Sequence, residues 1–164
     1  MQGNYVSLVS NQSILFNFPS QHLLAQANGL PRDPVFEHQS TNNLERRRHA
    51  LVVDDVADVR EMLSVLLTYG GYEVVTADSG FAAIDAARQN KFDVIISDIC
   101  MPGMNGYDLA RALRALPGYE RVPMVAVTGF SISDDCRRSL EAGFNAHLTK
   151  PIEPRAFLDL IEHL

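Results

Sequence analysis

The chain of 164 residues is poor in several things that would define common protein classes. It has two cysteines, Cys100 and Cys136, neither in a CxxC pair nor near a histidine cluster, which argues against a zinc site. No apolar run approaches the roughly 20 residues of a membrane span, so no membrane partner is expected. The amino terminus lacks the basic start and apolar stretch of a signal peptide. Export is therefore not expected, and reduced thiols in a cytoplasmic setting are the default. A basic surface is also missing. The net charge is −6, and residues beyond 48 carry ten basic against seventeen acidic side chains. Phosphate backbones need a basic face, so nucleic acid is not an expected partner.

What is present is the composition of a soluble globular chain, 46% hydrophobic and 21% charged, enough for one domain and an extension. From residue 50 onward, short apolar runs alternate with helical patterns. Ala50–Val53 is a strand that stops at Asp54. Val59, Met62, Leu63 and Leu66 then fall at helical spacing from Ala57, and Tyr69–Tyr72 (YGGY) supplies a stop. Glu73–Ala77 is the second strand, and Ser79–Asn90 the second helix with Ser79 as its N-cap. Val94–Ser97 is the third strand. Leu109, Ala112, Leu113 and Leu116 mark the third helix. Met124–Thr128, Asp134–Ala142, Ala146–Thr149 and a helix marked by Phe157, Leu160, Ile161 and Leu164 complete the pattern. Five strands alternating with five helices predict an α/β doubly wound domain over 50–164, with a parallel sheet covered on both faces. Residues 1–18 read as a β-hairpin around an Asn-Gln turn, and 19–49 as a mostly irregular linker.

In such a sheet the ligand crevice lies beyond the carboxyl ends of the strands. The first strand ends in Asp54 and Asp55, the third in Asp98, the fourth in Thr128 and the fifth near Lys150. Asp98 stands 43 residues after Asp55, Thr128 30 further, and Lys150 22 beyond that. Each residue alone has an ordinary reading as a cap, turn or solvated end. Together they close four of the five expected strands. Three carboxylates and one lysine leave a formal deficit that a divalent cation removes, and all-oxygen donors suit Mg²⁺ or Mn²⁺. Mg²⁺ shares its shell with phosphate, which points to phosphoryl chemistry with a carboxylate nucleophile.

The stretches VVDD (Val52–Asp55), SDICMPGMNG (Ser97–Gly106), VAVTG (Val125–Gly129) and EAGFNAHLTKP (Glu141–Pro151), with their spacing, resemble the receiver domain of two-component response regulators. The resemblance implies a flavodoxin-like fold with strand order 2-1-3-4-5. It implies Asp98 as phosphoacceptor, and Asp54 and Asp55 as the acidic pair for Mg²⁺, with Asp55 ahead of Asp54 as direct ligand. Asp98 and the backbone carbonyl of Cys100 complete the metal set. Thr128 becomes the switch hydroxyl and Lys150 the family lysine. The implied partner is a sensor histidine kinase or phosphotransfer protein, and the implied output is a change in the face of the fourth helix, fifth strand and fifth helix, which is also a candidate homodimer surface. Enzyme activity is not expected beyond self-phosphorylation from small donors and self-dephosphorylation. The aromatic switch position, usually Tyr or Phe, holds His147. The simplest expectation is a half-exposed strand-end histidine; the alternative is an altered coupling between Thr128 and the output face.

Three other readings stand beside this one. The end of the chain resembles the C-terminal receiver of a hybrid histidine kinase, and Tyr5–Phe18 is similar to the last hairpin of a kinase ATPase domain, although the nucleotide motifs are absent. A haloacid-dehalogenase-type phosphatase would carry Asp-x-Asp after the first strand, where this chain has Asp54-Asp55. A phosphorylation-independent binding module on the same scaffold would leave Asp98 unlabelled by an acyl phosphate.

Overall fold

A computed structural model describes residues 47–129 and 133–164. The expected hairpin and nearly all of the expected linker lie outside the described residues. The strands are β1 (Arg48–Val53), β2 (Tyr72–Ala77), β3 (Val94–Asp98), β4 (Met124–Thr128) and β5 (Ala146–Thr149). The helices are α1 (Ala57–Tyr69), α2 (Gly80–Gln89), α3 (Gly106–Arg114), α4 (Ser133–Ala142) and α5 (Pro154–Glu162). All pairings are parallel, and the sheet order is β2-β1-β3-β4-β5.

Alternation along the buried strands divides the core in two. Ala50 and Val52 of β1, Ile96 of β3 and Val125 and Val127 of β4 pack against Leu63 and Leu67 of α1 and Phe157, Leu160 and Ile161 of α5. Leu51 and Val53, Ile95, Met124 and Ala126 face Ala83 and Ala87 of α2 and Leu109 and Leu113 of α3. Every residue of β3 and β4 is buried. Such strands read as unbroken apolar runs because helices cover both faces.

Local chemistry sets the element ends. Ser79 caps α2 as expected, its Oγ accepting from the Ala82 N–H at 3.3 Å. At the start of α3, Asn105 and Asp108 bond reciprocally: the Asp108 N–H donates to Asn105 Oδ1 at 2.9 Å, and Asn105 Nδ2 donates to the Asp108 carboxylate at 2.8 Å. Several boundaries shift by a residue, and three differ more tellingly from expectation. β1 begins at Arg48, because pairing with β2 starts at Arg48↔Tyr72, ahead of the apolar run. Leu116 and Leu164 fall beyond α3 and α5. Leu116 still packs against the core from the turn after α3, so its apolar spacing marked burial and not helix.

Candidate functional site

The strand order reverses between β1 and β3, so their carboxyl ends border the crevice where doubly wound sheets bind ligands. Asp54 leaves β1 there and is fully buried. Each of its polar groups is held. Its N–H donates to Ala77 O at 3.3 Å, its Oδ1 accepts from the Val56 N–H at 2.9 Å, and its Oδ2 accepts from Lys150 Nζ at 2.8 Å. The Val56 bond also satisfies an amide at the start of α1, where the N-cap position itself offers no side-chain cap.

Asp98, 5% exposed, ends β3. Its Oδ1 accepts from Lys150 Nζ at 2.8 Å, and its Oδ2 accepts from the Cys100 N–H at 2.5 Å. Lys150 thus spans two carboxylates that are 44 residues apart in sequence. It is placed by β5, whose register continues in the Lys150 N–H bond to Thr128 O at 2.7 Å. Thr128 closes β4 and is buried. The loop after Asp98 returns tightly. Gly103 takes φ +79°, and a Cβ on Gly106 would stand 2.4 Å from the Asp98 carbonyl oxygen, so no side chain fits there.

Burial pushes the Asp98 carboxyl above its ordinary value; the hydrogen bond and charge of Lys150 offset this only in part, and Asp54 adds to the rise. Burial alone would lower the Lys150 ammonium, but Asp54 and Asp98 together outweigh it and raise it. The two directions are compatible, since Lys150 has two anions to itself whereas each anion has half a cation.

The site residues read from sequence are brought together unevenly. Asp54, Asp98 and Lys150 form one bonded cluster. Asp55 is exposed at its rim, and Cys100 is exposed on the loop with its amide on Asp98. Among the described residues, no group of three or more His, Cys, Asp or Glu side chains is already gathered around a metal position. The donor chemistry nonetheless suits a hard divalent cation: all donors are oxygens, and a buried carboxylate pair shares one lysine.

His147 corrects an expectation. It is 1% exposed, not half-exposed, because β5 turns Ala146 and Leu148 toward α1 and α5 and sends the residue between them to the opposite face. Its Nδ1 lies 3.1 Å from the Oγ of buried Ser139 on α4. Two residues at the site have no sequence signal. Ser139 is one. The other is Arg60, whose Nη1 donates to the Asp54 carbonyl at 2.6 Å; a helical arginine ordinarily reads as solvated.

Among the described residues, no helix is long and apolar enough to cross a membrane. A family model described as the response regulator receiver domain matches residues 50–162. The response regulator protein FleR of Pseudomonas aeruginosa is 37% identical over 111 residues, covering 68% of this chain and 23% of FleR. The chain therefore spans under a quarter of that relative's length. The chemotaxis response regulator CheY4 of Vibrio cholerae superposes with a TM-score of 0.69 at 33% identity, over 72% of this chain and 98% of that one. The receiver domain of the sensor histidine kinase PA1611 from Pseudomonas aeruginosa PAO1, solved with a magnesium ion coordinated in its active site cleft, gives a TM-score of 0.67 at 27% identity, over 72% and 97%. With a match running from the first strand to the last helix around this cluster, the chain belongs to the response regulator receiver domain family of two-component signalling.

Proposed function

We propose that this receiver takes a phosphoryl group from a phosphohistidine onto Asp98. The observation that carries the reading is the Lys150 bridge, which holds Asp98 and Asp54 in one crevice at 2.8 Å each. An Asp98 carboxylate oxygen attacks phosphorus, the new P–O bond forms as the P–N bond breaks, and the imidazole leaves with the electron pair and takes up a proton. Asp55, Asp98 and the Cys100 carbonyl are the groups to hold Mg²⁺, with Asp54 beside them. A bound Mg²⁺ supplies charge neutralisation for the transferred phosphoryl oxygens. Lys150 supplies a further positive charge, and Thr128 a hydroxyl donor to one of those oxygens. Catalysis of this kind needs little beyond positioning and charge.

The phosphorylated state then biases the packing of α4, β5 and α5, a population shift read by protein partners. The Ser139–His147 contact between α4 and β5 supports that route. The partner is a sensor histidine kinase or a phosphotransfer protein. The likeness to the PA1611 receiver favours a second reading, in which the domain serves a hybrid kinase and passes the group onward to a phosphotransfer histidine.

Incubation with Mg²⁺ and acetyl phosphate followed by intact mass tests the assignment. One phosphoryl group is expected on the natural chain and none on Asp98→Asn. Label that persists in the variant overturns it.

A further inference from the structure

We infer that Arg60 is a positioning residue for the cation, acting through the peptide that joins Asp54 to Asp55; this rests on the Mg²⁺ reading above. Arg60 lies in the first turns of α1, with its own N–H donating to Val56 O at 3.1 Å. Its guanidinium turns back, and Nη1 donates to the Asp54 carbonyl at 2.6 Å. Among the described residues that side chain forms no ion pair, although it stands beside an acidic crevice. The carbonyl it holds belongs to the Asp54–Asp55 peptide.

The geometry divides the acidic pair into two jobs. Asp54 is buried and bonded at its amide, its carbonyl and both carboxylate oxygens. Asp55 is exposed, one peptide further on. With Asp54 fixed, the orientation of the joining peptide sets the starting direction of Asp55, whose own φ and side-chain rotations then act from there, and the Arg60 bond holds that peptide. Groups that orient a ligand without touching the metal are worth about 10–100-fold in affinity.

Charge and positioning make opposite predictions here. Removing a cation from beside an acidic crevice should tighten Mg²⁺ binding if charge were all that mattered. Removing the bond that aims Asp55 should weaken it. The replacement to use is Arg60→Met, which keeps the apolar stem and helix propensity and removes the donor. Arg60→Lys keeps a donor and the charge.

The test is calorimetric titration of the metal-free proteins with Mg²⁺, alongside backbone amide NMR of the same metal-free samples to verify the fold and locate the change. Arg60→Met is expected to bind Mg²⁺ about tenfold more weakly, with the amide of Asp55 among those most shifted before any metal is added. Arg60→Lys is expected to retain most of the affinity. Binding by Arg60→Met that is equal to or tighter than that of the natural chain overturns the inference. So does an Arg60→Lys loss as large as that of Arg60→Met. A natural chain that binds no Mg²⁺ would instead defeat the reading on which the inference rests.

Discussion

Asp98 stands 5% exposed with one lysine shared between it and Asp54, so its charge is incompletely compensated. Burial raises its pKa above the ordinary value. The sign for stability follows from linkage. A group with a raised folded pKa contributes its stability at low pH and loses it as pH rises through that pKa. Ionised Asp98 is thus a destabilising feature at neutral pH without metal. Lys150 is also raised, but its contribution stays intact through neutral pH and is lost only in the alkaline range. Asp98→Asn removes the acid and leaves Lys150 its Asp54 partner. In Mg²⁺-free buffer at about pH 7 the variant is expected to melt a few degrees above the natural chain, and the gap should close as pH falls toward about 4. Thermal unfolding across that range is the measurement; a variant less stable than the natural chain at neutral pH refutes the argument. On the proposed function, the same unrelieved charge would make Asp98 receptive to a cation.

The ends of α3, α4 and β5 are tied down by long-range bonds to the backbone. Arg114, at the end of α3, points its guanidinium inward. Its Nε and Nη2 donate to Gly143 O at 3.0 and 2.6 Å, Nη1 to Tyr119 O and Val122 O at 2.8 and 2.6 Å, and Nη2 to Asn145 Oδ1 at 2.9 Å. Burial lowers its pKa. One side chain thereby fastens the end of α3, the turn before β4 and the turn between α4 and β5. Higher on the same helices, Arg138 lies 5.1 Å from the Tyr107 ring centre. Arg114→Ala would leave several acceptors short of a donor and is expected to cost about 2–4 kcal/mol. Arg114→Lys should cost most of that, because an ammonium cannot span acceptors arranged around a planar fork. Urea unfolding of the three proteins measures both, and a Lys variant indistinguishable from the natural chain would show that charge, not the fork, holds these turns.

At the scale of the molecule, the parallel sheet was legible because buried strands and helical periodicity have different apolar rhythms, whereas its strand order followed only from the resemblance to receiver domains. The polar strand ends were legible because the fold class says where such ends meet. Arg60, Arg114 and Ser139 were not: each bonds to a carbonyl or to a group on another element, and no spacing in the chain announces such a partner. His147 was legible in position but not in burial, since a four-residue strand is too short for alternation to reveal its faces. The site exists only in the folded chain, because β1, β3 and β5 bring together residues that are distant in sequence. Mg²⁺ should therefore bind the native state far better than the unfolded one and raise global stability, by about 2.7 kcal/mol at a free concentration about a hundred times Kd. A chelator should reverse the shift. Asp55 is exposed, so Asp55→Asn should leave metal-free stability within about 0.5 kcal/mol while removing most of the Mg²⁺ response. Thermal unfolding with Mg²⁺ and with chelator, for both proteins, decides it. A natural chain indifferent to Mg²⁺ would defeat the Mg²⁺ reading itself, and an Asp55→Asn variant with the full response would place the cation elsewhere than at the rim Asp55 forms.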